Sequence, residues 1–188
     1  MNRLSVIMFG PLFSIAERRF NVALATAIEE KSQCYLKVTL PQEEAKQFKI
    51  DDKFDFKALH LHNLANATKY QLALAILDGS DADSGTCVEI GYRKGRNSND
   101  IVIGGRTDFR GSEDGKINAL LQICDNYFEY FGADINELAE KIVDAFFWQI
   151  APNYFTSIGT FDFPPNIRSF DWMDVFTSYF NKVRPHQD

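Results

Sequence analysis

The sequence predicts an α/β fold: a five-stranded parallel sheet between two helical layers, a three-layer sandwich. Three observations predict it. Short apolar runs alternate with segments of helical periodicity along the chain. One run, Tyr70–Leu77 (YQLALAIL), is apolar almost throughout, as a central strand buried on both faces must be. Turn-rich loops, Gly10–Ser14 and Asp78–Gly85, follow two of the strands at the carboxyl ends where such sheets bind ligands.

The first strand is Leu4–Phe9 (LSVIMF), closed by Gly10-Pro11. Ser14 then caps a helix, and Glu17 three residues on completes a capping box. Ile15, Phe20, Leu24, Ala27 and Ile28 follow at mostly helical spacing. Tyr35–Leu40 is the second strand, stopped by Pro41. Residues 42–53 are polar and read as loop or short helix. Phe54, Ala58, Leu61 and Ala65 mark a helix over 54–68, which leads into the apolar third strand. After the turn-rich loop, a helix spans Thr86–Arg96 and Ile101–Ile103 is a fourth strand. Ile117–Leu121 begins a short helix in which Asn118 is placed as a cap. Tyr127–Phe131 is the fifth strand, and Asp134 caps a helix from Ile135 to about Phe147.

At 188 residues, 45% hydrophobic and 24% charged, the chain suits one domain with a real core. A net charge of −6 sets it against nucleic acid and anionic membrane, since both repel it on average. No apolar run reaches the roughly 20 residues that a bilayer span needs. The start, MNRLSVIMFGPLF, places Arg3 before an apolar stretch. Gly10-Pro11 breaks that stretch and Glu17, Arg18 and Arg19 follow, which argues against a signal peptide. Cys34, Cys87 and Cys124 are too few and too scattered for a disulfide framework or a zinc cluster, favouring a reducing, cytoplasmic setting. No G-x-G-x-x-G follows the first strand and no P-loop is present, so dinucleotide and P-loop chemistry lose their markers; no cofactor and no metal is expected.

Residues 1–147 form the domain that carries these elements, and 148–188 an extension. Residues 146–188 hold 12 of the 26 aromatics, and that many rings need cover from the domain itself, a subunit interface or a pocket.

Asp78, Asp81, Asp83 and Glu89 fall within 12 residues. Asp83 or Ser84 is a natural N-cap, which puts Glu89 in the first or second helical turn. Backbone N–H groups there favour an anion and keep a carboxylate ionised and able to attack. A second carboxyl group across a small pocket then serves as general acid, the two-carboxylate arrangement of retaining glycoside chemistry. Asp-rich turns also arise because Asp caps helices, and spacing alone leaves both readings open. The offsets of Gly and Glu do not fit a calcium loop. His60 and His62, two apart on a helix, point to different faces and do not share a metal. Arg106, Asp108 and Arg110 form a charged loop after a strand, either salt-bridged or shaping a site.

Four stretches together resemble the nucleoside 2-deoxyribosyltransferases: FGPLFSIAERRFN (9–21), LPQEE (40–44), LDGSDADSGTCVEIGY (77–92) and GRTDFRGSEDGKINALL (105–121). The resemblance covers roughly residues 4–147. It implies a flavodoxin-like, Rossmann-like fold and base exchange on 2′-deoxynucleosides by double displacement, in nucleotide salvage. Glu89 is then the nucleophile, and Asp83 protonates and orients the base. Phe13 and Gln42 contact the base, and Asp78, Ser84 and Gly85 are further substrate-binding positions. Asn118 reaches a neighbour's site toward the 5′-hydroxyl, which implies a homo-oligomer, dimer or higher, with a shared site. The partners implied are a 2′-deoxynucleoside and a free purine or pyrimidine base. Two positions depart from the family: Met8 where members often carry Tyr, and Asn63 where some carry an Asp that contacts the deoxyribose hydroxyls. Two other readings compete. One is hydrolysis of 2′-deoxynucleoside 5′-monophosphates on the same scaffold, with Arg19 and Arg110 available for phosphate. The other is a nucleoside-binding module without catalysis.

Overall fold

The strand pattern L-A-L-A-I sends large side chains to one face of the sheet and small ones to the other, and the computed structural model is built around that division. It describes residues 3–51, 53–110 and 117–158, with side chains of 152–158 excepted. Five parallel strands form the main sheet: β1 (Leu4–Phe9), β2 (Leu36–Thr39), β5 (Leu72–Ile76), β6 (Ile101–Arg106) and β7 (Asn126–Glu129), in the order β2-β1-β5-β6-β7. A two-stranded antiparallel hairpin, β3 (Lys49–Ile50) and β4 (Lys53–Phe54), stands apart. Counting only the main sheet, the order is 2-1-3-4-5, the flavodoxin-like arrangement. Register runs Val6 beside Leu72, Leu74 beside Ile103 and Arg106 beside Glu129.

On one face Leu72, Leu74 and Ile76 pack with Met8 against α1 (Ile15–Lys31) and α5 (Ile135–Ile158). On the other, Ala73, Ala75 and Leu77 meet Ile7, Phe9, Ala67 of α3 (Phe56–Lys69) and Ile90 of α4 (Ser84–Arg96). All five residues of β5 are buried, each large one contributing about 1.5–3 kcal/mol.

The capping box at Ser14 and Glu17 forms as the sequence predicts, and the main-sheet strands lie where expected within a few residues. Two expectations are refined and one is corrected. Of the two readings of residues 42–53, loop or short helix, the second holds for Pro41–Glu44 (α2) and the 3-10 turn Ala45–Phe48, and the hairpin β3 and β4 follows. The short helix capped by Asn118 is a 3-10 turn, Ala119–Ile123. The helix begun at Ile135 does not stop near Phe147 but continues to Ile158. The sequence offers no stop there: Phe146, Phe147, Ile150 and Ala151 keep an apolar face against the core, and no Gly or Pro intervenes before Pro152. The aromatic stretch thus starts inside α5, with Trp148 half exposed and Ile150 and Ala151 packed on the core. The rest of it, 159–188, lies outside the described residues, and with it its reading as interface or pocket cover.

Two cations of α4 turn inward at its carboxyl end. The Arg93 guanidinium donates to the carbonyls of Ala67 and Gln71 at 2.9 and 3.0 Å. The Lys94 ammonium donates to the carbonyls of Ser98 and Asp100 and to both oxygens of Asp125 (2.9 and 3.0 Å). Charge of this sign suits a helix carboxyl terminus, and carbonyl and carboxylate acceptors meet both charged heads, so their burial is tolerated. Lys94→Met takes the ammonium donor from two carbonyls and from Asp125, which keeps the Val102 amide at 2.7 Å, and costs about 2–4 kcal/mol, measured by urea unfolding.

Candidate active site

In a sheet of this order the connections turn opposite ways from β1, and the strand ends of β1 and β5 open a crevice. The loops Gly10–Ser14 and Asp78–Asp83 leave those two ends. The second loop is held by its neighbour after β6. Asp78 accepts from the amides of Thr107 (2.6 Å) and Asp108 (3.1 Å) and from the Thr107 hydroxyl. Gly79 donates to Asp108 at 3.2 Å. Buried Arg106 answers with three bonds to main-chain carbonyls: Leu77 (2.6 Å), Gly79 (2.6 Å) and Asp108 (2.7 Å). Gly79 has φ +124°, and a Cβ there meets the Asp81 carbonyl at 2.5 Å, so only glycine fits the turn.

The charged loop after β6 thus divides its work. Arg106 shapes the site through carbonyls, and Arg110 pairs with Asp108, holding that carboxyl well below the usual range. Asp78, expected to bind substrate, bonds the β6 loop through both oxygens and also borders the cleft there. A cleft of about 290 Å³ lies here, lined by Pro11, Phe20, Asn21, Asp78, Asp108 and Arg110 among others.

Asp83 is the N-cap of α4: its Oδ2 accepts from the Thr86 amide (2.9 Å) and hydroxyl (3.2 Å). Gly85 makes room for this cap, since a Cβ there meets Asp83 Oδ2 at 3.0 Å. Glu89 lies in the second turn, half buried. Among the described residues its carboxylate has no hydrogen-bond or ion-pair partner. Desolvation, reinforced by the like charge of Asp83, pushes its pKa up from 4.5 to about 7. The helix start does not hold it ionised as expected, because Glu89 sits past the first-turn N–H groups and Asp83 caps one of them.

Ser84 and Asn118 come together, with Asp81, Cys87, Gly91 and Leu120, around a second hollow of about 520 Å³. Asn118 caps its 3-10 turn, its side chain accepting from Leu120 N–H at 2.9 Å. Ser84, Cys87 and Gly91 lie roughly 140–160° around α4 from Glu89, taking 100° per residue. Within one chain the structure therefore puts Asn118 and Glu89 on opposite sides of the helix. Phe13 is exposed, and Asn63 is half buried on α3. Met8 is buried on the α1/α5 face, with no donor to offer Glu89. His60 is exposed, whereas His62 meets Asn66 at 2.8 Å and Glu44 at 3.4 Å, so the two part as expected. Among the described residues no three metal-ligating side chains converge, and no helix is long and apolar enough to cross a membrane.

Gln42 is buried, and its amide is engaged at both ends. Oε1 accepts from Asn21 Nδ2 (3.1 Å), and Nε2 donates to the Arg18 carbonyl (3.0 Å). Sequence reasoning misses Asn21, whose signal is a polar residue on the buried face of an amphipathic helix; for Arg106 it leaves salt bridging and shaping of the site open, and the bonds to carbonyls decide for the second.

Comparison with solved structures sets this architecture among known ones. A protein of Enterococcus faecalis V583 superposes with TM-score 0.60 at 23% identity, over 76% of this chain and 99% of that one. The 2-deoxyribosyltransferase of the psychrotolerant bacterium Bacillus psychrosaccharolyticus superposes with TM-score 0.53 at 18% identity, over 72% and 90%. At these identities the likeness establishes the fold, the one the sequence resemblance implies. No protein-family model matches the chain, and no curated protein matches it.

Glu89 also makes stability depend on pH. An acid whose pKa rises on folding binds extra protons in the native state between about pH 4.5 and 7. Stability therefore falls as pH climbs through that window and then levels off. Glu89→Gln removes the effect: denaturant titration finds the variant more stable by on the order of 1–3 kcal/mol at pH 8, and unchanged near pH 4.

Proposed function

We propose that the chain is a nucleoside 2-deoxyribosyltransferase, exchanging the base of 2′-deoxynucleosides through a deoxyribosyl ester on Glu89. The single observation that carries this is Glu89 itself: half buried, unpaired among the described residues, beside Asp83 and with a pKa near neutrality. A carboxylate with no internal partner is available to an external one. The fold shared with a 2-deoxyribosyltransferase and the four sequence stretches support the same reading.

In this mechanism a Glu89 oxygen attacks C1′ while the C–N glycosidic bond breaks. The transition state is oxocarbenium-like, and its positive charge is stabilised by the attacking Glu89 carboxylate. Asp83 passes a proton to the departing base, a contribution of ~10²–10⁴ in rate. A second base then attacks C1′ of the ester, gives its N–H proton back to the Asp83 carboxylate, releases Glu89 and completes the exchange. Water excluded from the site cannot divert the ester to hydrolysis. Phe13 stacks on the base, and Asn63 bonds the sugar.

A second copy of the chain completes the site. Asn118 lies across α4 from its own Glu89, so it serves a substrate in the neighbour. The exposed Val88, Leu120 and Ile123 flank that region and supply apolar surface to bury. The monophosphate hydrolase reading is weakened because Arg110, one of its two phosphate candidates, is already paired with Asp108.

The test supplies a deoxynucleoside with and without an acceptor base. Product that requires acceptor supports transfer, and free deoxyribose at an equal rate means hydrolysis. Denatured enzyme quenched during turnover carries the sugar mass on the Glu89 peptide. Glu89→Ala abolishes turnover with nucleoside binding largely kept; binding without any adduct in the wild type leaves only a binding module.

The acid limb of kcat/KM falls near pH 7, since attack needs ionised Glu89. Asp83→Asn removes a like charge and moves that limb to lower pH. It also lowers turnover most for bases that need protonation to leave. An unmoved limb with equal losses for all bases makes Asp83 a cap only.

A further inference from the structure

Three carbonyls of the loop after β1 each receive a side-chain donor from α1. Asn21 Nδ2 donates to Pro11 O at 3.1 Å, and Arg18 Nη1 donates to Leu12 O (2.9 Å) and Phe13 O (2.7 Å). The loop's next amide, Ser14 N–H, donates to Glu17 at 2.6 Å. Gln42 sits behind these donors. It bonds Asn21 through Oε1 and the Arg18 carbonyl through Nε2, so it spans the two α1 residues that hold the loop. Asn21 and Gln42 are both buried, with 4% and 9% exposure, whereas Phe13 at the end of the loop is 71% exposed. Each end of the Gln42 amide makes one internal bond and the residue is only 9% exposed, so burial restricts what its remaining N–H and lone pair can reach, and leaving either end unpaired carries a desolvation penalty.

We infer that Gln42 is a positioning residue: acting through Asn21 and Arg18 it sets the Pro11–Phe13 loop, and so the place of the Phe13 ring, without touching the base itself. This rests on the transferase reading for its functional consequence, but the tie to the loop stands on hydrogen bonds alone. A ring presented on a pre-formed loop binds without an ordering cost. A ring has a face for any base and does not discriminate purine from pyrimidine by hydrogen bonds. An amide in contact with the base edge does discriminate, and the two roles separate on that point.

The experiment uses the full-length chain and three single variants: Gln42→Met, which keeps the side-chain volume, Asn21→Leu, and Arg18→Met on the half-exposed side. The double variant Gln42→Met/Asn21→Leu completes a cycle. Amide hydrogen exchange of residues 12–14 is read beside exchange in β5. Arg18→Met keeps the test decisive if a buried substitution prevents folding. The expected result is exchange about tenfold faster in the loop and unchanged in β5. KM for a purine and for a pyrimidine deoxynucleoside rises by the same several-fold factor with kcat little altered, and the double variant is no worse than the worse single. Loop exchange unchanged in Gln42→Met and Arg18→Met overturns the inference. So does a tenfold change in the purine-to-pyrimidine ratio of kcat/KM in Gln42→Met, which puts the amide on the base. If the wild type turns over no deoxynucleoside while loop exchange still rises in the variants, the tie holds and the transferase reading falls.

Discussion

Arg106 ends the fourth main-sheet strand at 3% exposure, and its guanidinium donates to the carbonyls of Leu77, Gly79 and Asp108. Asp78 returns the connection by accepting from the amides of Thr107 and Asp108. A charge this deep persists only when its donors are satisfied, and here main-chain oxygens satisfy it. The two strands are thereby clamped at the end of the sheet where the crevice opens. The turn that delivers Asp83 to the start of α4 leaves from that clamp, and the position of Glu89 follows from it.

Glu89 is the counterpoint. The cap at Asp83 engages the nearest helix donor, the small residues Ala73 and Ala75 face the α3/α4 layer, and Met8 is turned to the opposite face. What remains for Glu89 is a partly desolvated position with a like charge nearby. That arrangement costs stability at neutral pH, as unpaired functional groups commonly do. Among the described residues no cation or hydrogen-bond donor pairs with its carboxylate, which is what the proposed nucleophilic role requires.

Much of this is legible in the amino-acid sequence. The capping box at Ser14 and Glu17 follows from local chemistry, and LALAI has no other comfortable home than a doubly covered strand. The Asp83 cap follows from the turn-rich approach to α4. Interactions with partners distant in sequence are not legible in the same way. Asp78 has the spacing of a site residue but bonds a loop 29 residues on. Gln42 sits in a stretch that suggests a ligand contact, and its amide also bonds Asn21 and the Arg18 carbonyl, partners that spacing does not show. Helix α5 runs past its expected end because packing of Phe146, Phe147 and Ile150 on the core, rather than any terminal signal, decides its length.

Hydrophobic period and turn chemistry act over a few residues. The order of strands and helices, and the identity of the loops at the carboxyl ends of the sheet, are therefore written in the chain itself. Which polar groups are spent on the protein and which are left over is settled by the fold in three dimensions, because that depends on burial and on partners brought together from distant parts of the chain. On that second count Asp78 and Gln42 are tied down, Asn118 falls across α4 from Glu89, and Glu89 stands desolvated with a pKa near neutrality.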